Sequence, residues 1–358
     1  MRSSRTRVGG LATFGWLPDD APRAVLVART PYGAAGHAAE ARGWTAHGIG
    51  LVVQDVRGRH ASPGEFVPYA EHGSADGPDL LAWVRGWAEA PVVLMGTSYG
   101  AHAALATALA TALATGEGAA PDGVVVAVPA LGLGETARTR GGVLQLASRL
   151  GWWLAQDVRR PWADVLAARR TDAERAAAVA RIDCPLLAIG GTDDYFAHDT
   201  VDLWSAWGGP ARLVLGPWDH GLAGARRAAR ILAWLDDLRA GRPATGVLTV
   251  DRDGTTRTEA PPLATVRLAG VAAEDQWCAS LVVRAPDGTA REVAHGAARG
   301  DRITLGPLVL TDAERAALTL RIGADDFPRY ARPPHPAHPA HPAPRPGRVP
   351  DHHLELTA

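Results

Sequence analysis

A chain of 358 residues is long enough for one large domain or two ordinary ones. Its 37 basic and 38 acidic residues leave a net charge of −1, so no basic surplus is present to hold nucleic acid or an anionic membrane surface. Two cysteines, Cys184 and Cys278, make neither a disulfide framework nor a metal cluster, and no apolar run is long enough to span a bilayer.

From the N-terminus, residues 1–20 carry arginines but no sustained apolar core, so no secretory leader is read and a cytoplasmic location is expected. Lysine and asparagine are absent throughout, the signature of a GC-rich bacterial coding sequence. Apolar, β-branched runs at 24–29, 49–55, 91–95, 123–128, 184–189 and 211–215 read as buried parallel strands. Helical patterns at 34–47, 74–87, 101–115, 171–180 and 223–239 alternate with them. Such alternation predicts an α/β fold, a parallel sheet covered on both faces, over residues 1–244. From 131 the alternation breaks. The stretch to 168 is helical in character and rich in Trp and Arg, and with the helix after it forms an expected lid insertion at 131–180.

Beyond residue 245 short runs at 246–250, 265–268, 279–283, 303–305, 308–310 and 318–322 are separated by turn signals such as Asp253-Gly254 and Asp287-Gly288. They predict an abbreviated β-sandwich over 245–358, with 353–356 as a returning strand. A His/Pro-rich segment at 333–350 has proline at every third position along its His335–Pro342 core, which favours an extended linker over a metal site.

The chemistry concentrates at Gly96-Thr97-Ser98-Tyr99-Gly100, where an apolar strand leads in and an Ala-rich helix leads out. Strand, G-x-S-x-G, helix is the setting of a nucleophile elbow, which lifts the serine Oγ clear of an α/β-hydrolase sheet. The flanking glycines are expected to spare the strained turn a Cβ collision. A nucleophilic serine needs a base and an orienting acid, and in this fold they follow it in the order acid, then histidine. Two loops at the carboxyl ends of strands qualify: Asp193-Asp194 after 184–189, and His220 after 211–215. His198, close to the acid, reads as a loop-lining residue.

The surrounding residues resemble the CocE/NonD family, the cocaine-esterase and X-prolyl dipeptidyl-peptidase group of serine hydrolases. Arg29-Thr30-Pro31-Tyr32 is similar to its R-x-P-Y segment, and Asp55-Val56-Arg57-Gly58 with Ser62-Pro63-Gly64-Glu65-Phe66 to D-x-R-G…S-x-G-x-F. Glu71, Asp76-Gly77, Asp79 and Trp83 fit its E…DG-x-D…W pattern. Asp194-Tyr195-Phe196 fits D-x-F, and Gly216-Pro217-Trp218-Asp219-His220 fits G-P-W-x-H. The run 318–322 and Asp326-Phe327-Pro328-Arg329 resemble the family's final sandwich segment.

The resemblance implies hydrolysis of a small-molecule carboxylic ester or amide through an acyl-enzyme, with Ser98 as nucleophile, His220 as base and Asp194 as the acid aligned with D-x-F. It implies an oxyanion hole made by the Tyr32 phenol and the backbone N–H of Tyr99, and it implies no cofactor. Tyr195, Phe196, Trp152, Trp153 and Trp162 are expected as pocket walls, with Glu135 and Asp157 as carboxylates available to an amino-bearing substrate. Several features depart from the family pattern. The elbow has one residue fewer before its second glycine, the interval from Ser98 to Asp194 is short, and Thr192 and Asp193 stand where an aromatic pair is usual. Two other readings keep parts of this picture: acyl transfer to an amine or alcohol at a dry site, and a binding protein with an idle triad.

Overall fold

The computed structural model describes residues 1–113, 120–130, 138–156, 158, 161, 172–285, 287–332 and 349–357. Its centre is a ten-stranded sheet of β1 (Arg2–Val8), β2 (Leu11–Leu17), β3 (Ala24–Thr30), β4 (Ile49–Asp55), β5 (Val92–Thr97), β6 (Gly123–Ala127), β7 (Leu186–Gly191), β8 (Ala211–Gly216), β9 (Gly246–Val250) and β10 (Thr256–Arg257). The order is β1-β2-β4-β3-β5-β6-β7-β8-β9-β10. Pairing is parallel from β4 through β9, and antiparallel where β1, β2 and β10 close the edges.

The inner strands are buried on both faces, which is why they read as continuous apolar runs. Two apolar layers result. Helices Asp76–Arg85, Tyr99–Ala112 and Ala197–Ala206 pack on one face through Leu80, Leu81, Leu105, Val201 and Leu203. Helices Ala38–Ala46 and Arg227–Arg239 cover the other through Trp44, Ile231, Trp234 and Leu235.

Several predicted elements shift or change partners. The hairpin β1–β2 is absent from the sequence reading because β1, RSSRTRV, is exposed at every position but Val8 and carries no apolar alternation. Charged, polar edge strands of this kind protect a sheet from adding a further strand. The run 246–250, expected in the sandwich, instead pairs in parallel with β8 and belongs to the main sheet. Its half-buried alternation is that of a near-edge strand, which is also how a sandwich strand reads.

The sandwich itself has sheets β14-β11-β16 and β13-β12-β15, from β11 (Leu263–Leu268), β12 (Gln276–Arg284), β13 (Ala290–Arg299), β14 (Arg302–Pro307), β15 (Leu318–Gly323) and β16 (His352–Thr357). Val266, Leu281, Ile303 and Leu305 fill the space between them. The returning strand expected at 353–356 is β16, antiparallel to β11. Residues 308–310 are buried but join no ladder: Leu308 and Leu310 pack in the sandwich core, Val309 against the hydrolase core.

Within the expected lid, Leu150–Ala155 and Asp172–Val179 are helical. Residues 138–145 are not. They form isolated bridges, Gly141 to Ala298 and Gln145 to Tyr330, that hold the insertion against the sandwich.

Candidate active site

All four loops expected to carry chemistry leave the carboxyl ends of parallel strands: Tyr32 after β3, Ser98 after β5, Asp194 after β7 and His220 after β8. Strand β5 runs through Gly96 and Thr97, and the helix begins at Tyr99, so the whole turn is one residue, Ser98. Its φ of 55° and ψ of −118° are strained for a side-chain-bearing residue. The two glycines are not equivalent. A Cβ on Gly96 would lie 2.1 Å from the Gly100 carbonyl, whereas one on Gly100 would meet Arg29 O at 3.4 Å, an ordinary contact.

Ser98 Oγ is 3.0 Å from His220 Nε2, and His220 Nδ1 is 2.8 Å from Asp194 Oδ1. If Nε2 accepts the serine proton, Nδ1 must carry the ring hydrogen, and an ionised carboxylate can only accept it. The Asp194 side chain is fully buried and that of His220 one-third exposed. Asp193 is excluded from this series: it pairs with Arg252 on the outside of the loop. His220 is clamped by aromatic rings, with Tyr195 stacked at 4.6 Å between centroids and Phe196 at 5.6 Å. Arg149, unnoticed in the sequence, lies 4.0 Å over the Phe196 ring. Burial and the neighbouring Asp194 charge push the Tyr195 phenol up to about 12, so it stays protonated beside the imidazole.

The glycines of the two loops serve Trp218. A Cβ on Gly191 would lie 1.9 Å from the Trp218 carbonyl oxygen, and one on Gly216 would lie 2.7 Å from its ring. The G-P-W pattern thus brings the β8 loop down against the β7 loop, which sets His220 beside Asp194.

Tyr32 stands half-exposed, its Oη accepting a hydrogen bond from Trp152 Nε1 at 2.9 Å. Burial of the phenol raises its pKa, and the Trp152 N–H and the Arg59 charge offset part of that. Asp55 shapes this loop by accepting the Ala34 N–H at 2.6 Å. Tyr99 contributes differently. Its side chain is buried and donates to Glu71 Oε1 at 2.6 Å, while its N–H, at the first helical position, has no acceptor within the helix. Glu71 also accepts from His102 Nε2 at 3.0 Å. Burial would raise the Glu71 pKa, but the His102 and Tyr99 hydrogen bonds and the Arg29 charge hold it below the usual carboxylate range.

Among the expected walls, Tyr195 and Trp152 are accessible, while Phe196 and Trp153 are only 4% exposed and act in packing. Trp162, Glu135 and Asp157 lie outside the described residues. A polar cavity of about 310 Å³ opens behind the acid loop against the sandwich, lined by residues including Asp194, Tyr195, His198, His295 and Tyr330, but by neither Ser98 nor His220. Among the described residues no group of His, Cys, Asp and Glu is arranged to hold a metal ion, and no helix is long and apolar enough to cross a membrane.

Comparison with known proteins adds the family. The family model described as X-Pro dipeptidyl-peptidase (S15 family) matches residues 10–171 and 143–222, together more than half of the chain. Cocaine esterase from Rhodococcus sp. (strain MB1 Bresler) is 30% identical over 155 residues, 40% of this chain and 25% of that protein, so the match spans a quarter of the relative's length. Two solved structures of a CocE/NonD family hydrolase from Staphylococcus aureus share the fold. One superposes with a TM-score of 0.67 at 11% identity, covering 99% of this chain and 90% of that one. The other gives 0.64 at 12% identity, covering 90% and 84%. With the elbow, the two catalytic-edge loops and the sandwich all in place, the chain belongs to the CocE/NonD, S15-like family of hydrolases.

Proposed function

We propose that the chain is a serine hydrolase that cleaves a small-molecule carboxylic ester or amide through an acyl-enzyme. The observation that carries this reading is the unbroken series from Ser98 Oγ through His220 to Asp194, at 3.0 and 2.8 Å, on a strained elbow. In this mechanism Ser98 Oγ attacks the acyl carbon while His220 Nε2 takes its proton. Asp194 fixes the imidazole tautomer and stabilises the imidazolium. The tetrahedral oxyanion is met by the Tyr32 phenol and the Tyr99 N–H, and loss of one such donor costs roughly 3 kcal/mol in the transition state. His220 then returns the proton to the leaving alcohol or amine, and a water activated by the same imidazole releases the acid. The cocaine-esterase relative supports an ester substrate, and the family model supports an amide.

Intact-mass analysis after exposure to an alkyl fluorophosphonate tests the reading. One adduct on the native chain and none on Ser98→Ala is expected. An unmodified native chain, or an adduct that survives in Ser98→Ala, would overturn it.

A further inference from the structure

Trp152 stands on the helix Leu150–Ala155 with its ring stacked on Tyr99, centroids 5.4 Å apart and planes 19° from parallel. Its Nε1 is 2.9 Å from Tyr32 Oη. Indole N–H is a donor only, so the phenol oxygen must be the acceptor in this contact. The single phenol proton is then left for another group, and a hydroxyl that accepts one hydrogen bond donates the next more strongly. Tyr32 is 49% exposed and needs such a restraint, because packing alone leaves its hydroxyl little fixed. A second tie joins the same two segments: Arg59 donates from Nε to Pro31 O at 3.1 Å and from Nη1 to Gln156 O at 2.9 Å.

We propose that Trp152 is a positioning residue of the oxyanion hole, its indole N–H fixing Tyr32 Oη so that the phenol proton is presented to the oxyanion formed at Ser98. The inference rests on the reading of Ser98 as nucleophile and Tyr32 as oxyanion donor, and it gives the insertion helix a role in rate rather than only in substrate fit.

The test is the rate of phosphonylation by an alkyl fluorophosphonate, followed over reagent concentration to separate the limiting rate from the half-saturating concentration. In that reaction the Ser98 Oγ–P bond forms, the P–F bond breaks, His220 takes the serine proton and fluoride leaves. Trp152→Phe keeps an aromatic ring over Tyr99 and removes the N–H. Its limiting rate is expected to fall about 10-fold, with the half-saturating concentration changed less than about twofold. Tyr32→Phe should fall about 100-fold, and the double variant should be no slower than Tyr32→Phe alone. Trp152→His, which restores a ring N–H, should be faster than Trp152→Phe.

A loss from Trp152→Phe that is equal in the native and the Tyr32→Phe backgrounds would mean that Trp152 acts through packing, and would overturn the proposal. So would a slowed Tyr32→Phe beside an unaffected Trp152→Phe, which leaves the oxyanion reading of Tyr32 standing. Full labelling of Tyr32→Phe, or no labelling of native Ser98, would bring down the underlying reading and the proposal with it.

Discussion

Tyr99 gives its phenol proton to Glu71 Oε1 at 2.6 Å, which leaves the residue beside Ser98 only its backbone N–H for the oxyanion role proposed above. The phenol oxygen also accepts the Tyr69 N–H at 2.9 Å. Tyr99→Phe therefore strips a partner from the buried Glu71 carboxylate and the half-buried Tyr69 N–H and should cost about 1–3 kcal/mol of stability in urea unfolding. The rate of fluorophosphonate labelling should drop less than about tenfold, since the oxyanion donor proposed at Tyr99 is main chain. A loss approaching that of Ser98→Ala would instead give the phenol itself a part in the reaction.

The two adjacent aspartates have opposite surroundings, and their amides should behave accordingly. Asp194→Asn presents an N–H to His220 Nδ1 and favours the wrong tautomer, so kcat is expected to fall on the order of 10⁴-fold. Asp193→Asn loses only the surface pair with Arg252 and should stay within about threefold of native activity. Steady-state hydrolysis of p-nitrophenyl butyrate compares them; similar losses in both would mean that the loop, not the acid, had been disturbed.

A parallel contrast holds for the elbow glycines. Gly96→Ala drives a methyl into the Gly100 carbonyl and should destabilise the fold by about 3 kcal/mol or more, with the elbow deformed. Gly100→Ala meets only an ordinary contact and removes a helix glycine, so its effect on stability should lie within about 1 kcal/mol. Melting temperatures of the two variants settle the order, and equal values would count against the geometry of the turn.

His198 and His295 should make the fold acid-sensitive. Burial lowers His198 to about 3, with the Arg140 charge adding to it, and lowers His295 to about 4. In the unfolded chain both protonate below about 6.5. Over the interval the unfolded state binds more protons, so stability is lost as pH falls from 6.5 and is fully present above it. His198→Gln should flatten this limb by up to about 1 kcal/mol per pH unit between pH 6 and 4. Parallel native and variant curves in urea titrations at pH 7, 5.5 and 4.5 would show that His198 does not carry the slope.

The parts of the site legible in the sequence are those whose chemistry is local. Gly96-Thr97-Ser98-Tyr99-Gly100 and Gly216-Pro217-Trp218-Asp219-His220 each encode a turn in consecutive residues, and the buried parallel strands announce themselves as apolar runs. Asp194 and Asp193 cannot be separated by residue type, because only the direction each faces across the loop distinguishes them. Glu71, Tyr99 and His102 meet from segments about thirty positions apart, with nothing in their spacing to say that one carboxylate serves both other groups. Trp152 is visible as an aromatic residue, but a donor bond to Tyr32 is a matter of side-chain aim. Strand β1 escapes a reading by pattern because an exposed edge strand has no hydrophobic period to detect.

Thr139 Oγ1 donates to Ala297 O across 158 positions of chain, and Leu146 N and Arg299 N bind Arg329 O and Gly141 O in the same seam. The insertion above the elbow thus leans on residues that leave the ribosome long after it. The sheet, Ser98, Asp194 and His220 are all synthesised before that support exists. A nascent chain stalled after the main sheet would hold Ser98, Asp194 and His220 with the insertion still unsupported. On this view the C-terminal sandwich is the buttress against which the segment carrying Trp152 comes to rest beside Tyr32.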